Sequence, residues 1–158
     1  MDAFTPLLDR ARDALRTLAD EDQREIYLTS IHAIQDDGKR VWHANYYHPL
    51  KDVLYSVRED GELEGPEPTV ADVAFLPELD ITSVRVSADD AEQSARERLS
   101  EGEAGHVEKT LLVLQMADDE PIWNITFFLP EGRVVNVHVS ASSGRVLKED
   151  RFTLFSRA

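Results

Sequence analysis

Val41-Trp42-His43-Ala44-Asn45-Tyr46-Tyr47-His48-Pro49 returns later in the chain as Ile122-Trp123-Asn124-Ile125-Thr126-Phe127-Phe128-Leu129-Pro130. Trp42 and Trp123, the 2 tryptophans of the chain, are 81 residues apart, and so are Pro49 and Pro130. A fixed period of this size predicts two copies of one supersecondary unit. Side-chain parity agrees. Trp42, Ala44 and Tyr46 share one face of an extended strand, as do Trp123, Ile125 and Phe127. His43 and Asn45, matched by Asn124 and Thr126, lie on the other. One face is therefore expected to be core and the other polar. The next strands match with one residue inserted at the turn: Val53, Tyr55 and Val57 against Val135, Val137 and Val139. That insertion keeps the apolar residues on the core side.

Outward from these strands, each unit has the same order. Thr5 and Pro6 suit a helix start, followed by apolar residues at Leu7, Leu8, Ala11, Ala14, Leu15 and Leu18. Asp20-Glu21-Asp22-Gln23 is expected to end this helix. Ile26 to Gln35 reads as a strand, and Asp36-Asp37-Gly38-Lys39 as a hairpin turn. In the second unit Ser87 is expected to cap a helix, with Asp90 three residues on. Val107 to Met116 reads as a strand and Asp118-Asp119-Glu120-Pro121 as its turn. Pro66, Pro68 and Pro77 mark the stretch between the units as a linker. Its Val73, Phe75 and Leu76 are expected to cover part of the core. Ile81 to Val86 alternates like a strand. The expectation is an α+β protein of two pseudo-symmetric repeats, each a helix on a three- to four-stranded antiparallel meander. The first repeat spans 1–63, the linker 64–80 and the second repeat 81–158.

At 158 residues, with 42% hydrophobic residues, the chain can build a substantial core. There are no cysteines, which removes disulfides, thiolate metal sites and thiol nucleophiles. The formal net charge of −14 argues against nucleic acid and anionic membranes as partners. No apolar run is long enough to span a bilayer, so no membrane insertion is expected. The first residues lack the pattern of a signal peptide, which points provisionally to the cytoplasm.

The closing stretch Val137-His138-Val139-Ser140-Ala141-Ser142-Ser143-Gly144-Arg145-Val146-Leu147 resembles the end of a PepSY domain. Ser140 stands where that family has Asp, and Ser143 where it has Thr. Ser87-Ala88-Asp89-Asp90-Ala91 resembles the family's helix start, and Ile122-Trp123-Asn124-Ile125 its aromatic strand. The first copy keeps less, chiefly Gly61 and the apolar Leu63. The resemblance implies a non-enzymatic module that binds or regulates another protein, a peptidase among the candidates.

The residues themselves select no reaction. His43 and His48 are five apart and face opposite sides of a strand. None of His32, His43, His48, His106 and His138 falls in a metal-binding motif. The acidic turns lack a calcium loop. Ser140, Ser142 and Ser143 near His138 lack a nucleophile elbow. No cofactor, no metal and no catalytic residue is expected. The candidate site is a surface: Tyr47 and Phe128 at matching positions, flanked by His43, Asn45, Asn124 and Thr126. A repeated exposed aromatic between polar residues fits a protein-binding patch. Its partner is expected to be another protein, with a homodimer favoured over a monomer, held at this face or at an exposed edge strand. The competing reading is that the linker, Phe152 and Phe155, or a second subunit buries the face. The alternative function is a small ligand-binding protein or enzyme on a cone-shaped α+β fold.

Overall fold

The computed structural model describes residues 2–69 and 75–154. Strand β1 (Tyr27–Asp36) turns into β2 (Lys39–His48) through Asp37 and Gly38, both left-handed with φ of 53° and 76°. Two such residues match the right-handed twist of the flanking strands. β2 pairs with β3 (Val53–Arg58), and β3 with β4 (Leu63–Pro68). The later strands repeat the device. Asp118 and Asp119, with φ of 51° and 62°, join β5 (Lys109–Ala117) to β6 (Glu120–Phe128). β7 (Arg133–Ser140) and β8 (Val146–Thr153) complete the series.

The expectation of two separate small sheets is overturned. The strands form one eight-stranded antiparallel sheet in the order β4-β3-β2-β1-β5-β6-β7-β8. Its centre is the pairing of β1 with β5, from Ser30 opposite Gln115 to Gln35 opposite Thr110. In two independent sheets both strands would be edges with a row of unpaired main-chain groups, with no proline and only the end residues Asp36 and Lys109 charged. Pairing them removes both edges at once. Leu63–Pro68, all but its first residue inside the stretch expected to be linker, is the edge strand β4.

The helices lie on one face. α1 (Thr5–Leu15) buries Leu7, Ala11 and Leu15, and α3 (Ala88–Arg96) buries Ala91 and Ala95. The Ser87 hydroxyl caps α3, accepting the Asp90 main-chain N–H at 3.1 Å, where the sequence placed it. Two short helices, α2 (Asp20–Glu25) and α4 (Glu101–Ala104), complete the layer. Asp20-Glu21-Asp22 does not simply end the first helix: extended backbone at Ala19 lets the three acids start α2. Ile81–Val86 is not a strand. Asp80 accepts the Thr82 N–H and starts a 3-10 turn over Ile81–Ser83.

Between helices and sheet, Phe4, Trp42 and Trp123 form an aromatic cluster. Phe4 and Trp42 meet edge to face at 5.0 Å, and the two indoles at 6.1 Å. Small residues at Ala33 and Ala44, both fully buried, leave room for the rings. Trp123 is 0% exposed and its indole N–H donates to the Val86 carbonyl at 2.9 Å. Phe75, expected to cover the core, is exposed, whereas Leu79 is buried in it. Val73 and Phe155 lie outside the described residues.

Candidate functional site

The candidate site is the face of the sheet opposite the helices. None of its side chains belongs to the core cluster that α1 and α3 build. The pairing registers order these side chains in rows. One row runs Arg58, His43, His32, Val113, Asn124, His138, Lys148 from β3 to β8. The neighbouring row runs Glu64, Ser56, Asn45, Ser30, Gln115, Ile122, Ser140.

Tyr47 is not an exposed hot spot. It is 1% exposed, its hydroxyl donates to Asp52 at 2.6 Å, and Tyr27 packs edge-on at 5.8 Å. Tyr27 in turn donates to the Leu76 carbonyl, and Thr29 to that of Pro77. The stretch just before Leu79 thus lies over this end of the face. The Asp52 carboxylate beside Tyr47 holds its phenol protonated, with a pKa raised to about 12. Phe128 is half-buried, opposite Val134, which itself pairs with Phe152. Tyr47 and Phe128 share a face, as parity requires, but they do not form one patch. β2 and β6 are separated by β1 and β5, so three antiparallel pairings make them run in opposite directions. Their C-terminal residues lie at opposite ends of the sheet.

The polar residues do gather, in two groups. The Asn45 side-chain amide donates to Ser30 (2.9 Å) and to His32 Nδ1 (2.8 Å), and its oxygen accepts from Ser56 (2.9 Å). Asn136 donates to Asn124 (2.6 Å) and to Thr126 (2.9 Å). His43 stacks on His32, with ring centroids 4.7 Å apart and planes 1° from parallel. His43 Nδ1 is buried without a hydrogen-bond partner among the described residues. Burial, and then the neighbouring His43, push the His32 pKa down to about 4, so this ring is neutral at pH 7. His138 is also lowered, by burial and then Lys148.

The stacked pair escaped the sequence reading, which tested spacings along one strand. The signal was present: a two-residue turn at Asp37-Gly38 fixes the hairpin register, and that register sets His32 opposite His43. Parallel rings do not converge on one ion. Among the described residues no group of three or more His, Asp or Glu could hold a metal. His48 belongs to the helix face, bonded to Asp22 at 3.1 Å. Ser140 is fully buried and donates to Glu120.

The edges of the sheet differ from its face. β4 carries Pro66 and Pro68 with Glu64 and Glu67. β8 carries the run Lys148-Glu149-Asp150-Arg151. Arg151 ties β8 to α4, bonding Glu103 at 3.0 Å and the Arg98 carbonyl at 2.8 Å. This pairing holds Glu103 down at a pKa of about 2. Prolines and charges are the devices by which sheets discourage edge pairing. On the face, by contrast, Ile34 and Val41 pair directly across the first hairpin and are 45% and 41% exposed.

No protein-family profile matches the chain, and no curated protein matches it in sequence. The fold is similar to the crystal structure of a putative lipoprotein from Clostridium difficile 630, with a TM-score of 0.56. Sequence identity is 15%, and the likeness covers 89% of this chain and 91% of that one. At this identity the likeness is one of fold. Among the described residues, no helix is long and apolar enough to cross a membrane.

Proposed function

We propose that this chain is a non-enzymatic binding module of PepSY type that holds another protein on the open face of its sheet. The observation that carries the reading is the hairpin end of that face, where Ile34 and Val41 are exposed side by side. The family resemblance draws support from the turn after β7. There the Ser140 hydroxyl accepts the N–H groups of Ser142 and Ser143, and Gly144 is left-handed with φ of 83°. A hydroxyl thus does the work of the Asp that the family carries. The protected edges favour the face over strand addition. A second copy of the chain is the first partner to test, because a two-fold interface uses one surface twice.

Light scattering on the wild type and on an Ile34→Asp, Val41→Asp double variant tests the reading. The expected result is a dimer that the variant loses, or a monomer whose captured protein partner is lost with the same variant. A monomer that retrieves the same proteins with and without the substitutions refutes it. The proposed location is the cytoplasm. The neighbour's description as a putative lipoprotein carries the competing one, outside the cell membrane. Fractionation of the tagged protein in source cells separates the two.

A further inference from the structure

The centre of the open face holds a polar row that can be bonded in two ways. Ser30 on β1, Asn45 on β2 and Ser56 on β3 stand side by side across the sheet. The Asn45 amide nitrogen lies 2.9 Å from Ser30 Oγ and 2.8 Å from His32 Nδ1, and the amide oxygen lies 2.9 Å from Ser56 Oγ. An amide offers donors at its nitrogen and an acceptor at its oxygen, while a serine hydroxyl serves as either. With the nitrogen toward β1, Asn45 donates to Ser30 and to an unprotonated His32 Nδ1, and Ser56 donates to the Asn45 oxygen. A half-turn of the amide exchanges these roles. The oxygen then accepts from the Ser30 hydroxyl and from a protonated Nδ1, and the nitrogen donates to Ser56. Ser30 is ready for the exchange, since its hydroxyl hydrogen has no acceptor among the described residues.

The proton on His32 decides between the two arrangements. An unprotonated Nδ1 accepts and calls for the amide nitrogen. An imidazolium carries N–H on both ring nitrogens and sets donor against donor unless the amide turns. Solvent reaches the pair, because His32 and Asn45 line a cavity of about 530 Å³ together with Ser30, Gln115 and Leu76. Apart from His32, no ionisable group lines it. The titratable and charged groups facing His32 come from three strands. His43 stacks on it from β2, Arg58 stands beyond His43 on β3, and Glu64 lies opposite Ser56 on β4. β5 presents only Val113 and Gln115 there. Burial and His43 oppose a charge on His32, and Glu64 favours it. His43 has no such exchange open to it, since its buried Nδ1 meets no partner among the described residues.

We propose that Asn45 is a proton-driven relay: when His32 gains a proton, the Asn45 amide turns over and the row from Ser30 to Ser56 reverses the direction of its hydrogen bonds. The proton comes from solvent and forms the Nδ1–H bond. Each bond of the present row is replaced by one of the opposite sense, so the centre of the face takes up a charge without orphaning a polar group. Without the turn, two donors would face each other across 2.8 Å and both would lose their acceptor. The relay does not depend on whether the face holds a partner, so its failure and that of the binding reading are distinct.

The experiment is side-chain NMR of the full chain, followed from pH ~7 down to pH ~3.5 so that the ordinary histidine range is crossed. At neutral pH the His32 ring nitrogens should report the Nε2–H tautomer. The Asn45 amide protons should show their strongest cross-relaxation with Ser30 and the His32 ring. As His32 titrates, Ser56 should replace them as the strongest contact, with the same midpoint. Asn45→Asp keeps the shape but offers only acceptors, so it should raise the His32 midpoint by about 1–3 pH units. The midpoint of His138, across the sheet on β7, should stay where it is. Where the wild type unfolds before His32 titrates, His43→Phe keeps a stacked ring and removes a neighbour that opposes the proton, lifting the titration into the folded range. An Nδ1–H tautomer at neutral pH overturns the proposal. So does an Asn45 amide that keeps its contacts through the titration, or a His32 that charges only on unfolding in both the wild type and His43→Phe.

Discussion

Replacing Trp123 by alanine tests the packing of the helix layer on the sheet. Trp123 is 0% exposed, contacts Trp42 with ring centroids 6.1 Å apart, and lies 6.2 Å from Phe4. Removing a fully buried large aromatic costs about 3–5 kcal/mol, through lost transfer energy plus the cavity left behind. The indole N–H also leaves the Val86 carbonyl unpaired, adding about 1 kcal/mol if the cavity stays dry. The expected loss is therefore about 4–6 kcal/mol, a large share of the ~5–15 kcal/mol that holds a domain of this size. Trp123→Phe separates the two contributions. It keeps a ring and loses the Val86 bond, so about 1–2 kcal/mol is expected. Urea melts at constant pH give both values, provided the slope is unchanged. A loss under ~1 kcal/mol for Trp123→Ala would refute the central role of this ring. Equal losses for Ala and Phe would refute the division between volume and hydrogen bond.

The other expectations follow from local geometry. His32 titrates at about 4 when folded, below its ordinary ~6.5 when unfolded, so the unfolded chain binds the extra proton between these values. Stability from this residue is complete above pH ~6.5 and is lost as pH falls toward 4. Glu64 pulls against the burial and the His43 neighbour, and Arg58 stands beyond His43 in the row. The ceiling is ~3 kcal/mol, which solvent reaching the open face cuts to about 1–2. Melts at pH 7 and pH 5 should show the wild type losing about 1 kcal/mol more than His32→Gln; parallel losses would refute the assignment. Arg151→Ala should free the β8 edge from α4, speeding amide exchange in Val146–Thr153 about fivefold and leaving β5 and β6 unchanged. Asp119→Gly should stabilise by about 0.5 kcal/mol, because glycine adopts the left-handed φ of 62° without strain. A destabilised variant would show that the Asp119 side chain matters there.

What could be read from the sequence was local. The acidic turns announced both hairpins, the Ser87 cap marked the start of α3, and parity assigned Trp42, Trp123, His43 and Asn124 to their faces. What could not be read was the relation between distant segments. Periodicity assigns a face but not a strand direction, so Tyr47 and Phe128 seemed to share a patch that opposed strand directions divide. Nor does an alternating pattern tell whether a neighbour will cover it, and main-chain carbonyls at Leu76 and Pro77 do so for Tyr27 and Thr29. The joining of β1 to β5 left one trace, the uninterrupted run Leu111-Leu112-Val113-Leu114, which suits a strand with no free edge.

The seam between β1 and β5 has a consequence for how the chain can be cut. It joins residues such as Gln35 and Thr110 that are far apart in sequence, while every other pairing in the sheet joins consecutive strands. Each group of four strands can therefore gather by short-range steps, and only their docking carries the entropy of closing a long loop. A break placed between β4 and α3 would turn that docking into association of two chains. Each fragment alone would present the bare side of β1 or β5, which is long and free of the prolines and charge runs that guard β4 and β8. Expressed separately, such fragments would self-associate; expressed together, they would reconstitute the eight-stranded sheet, making this a natural site for a split-protein reporter.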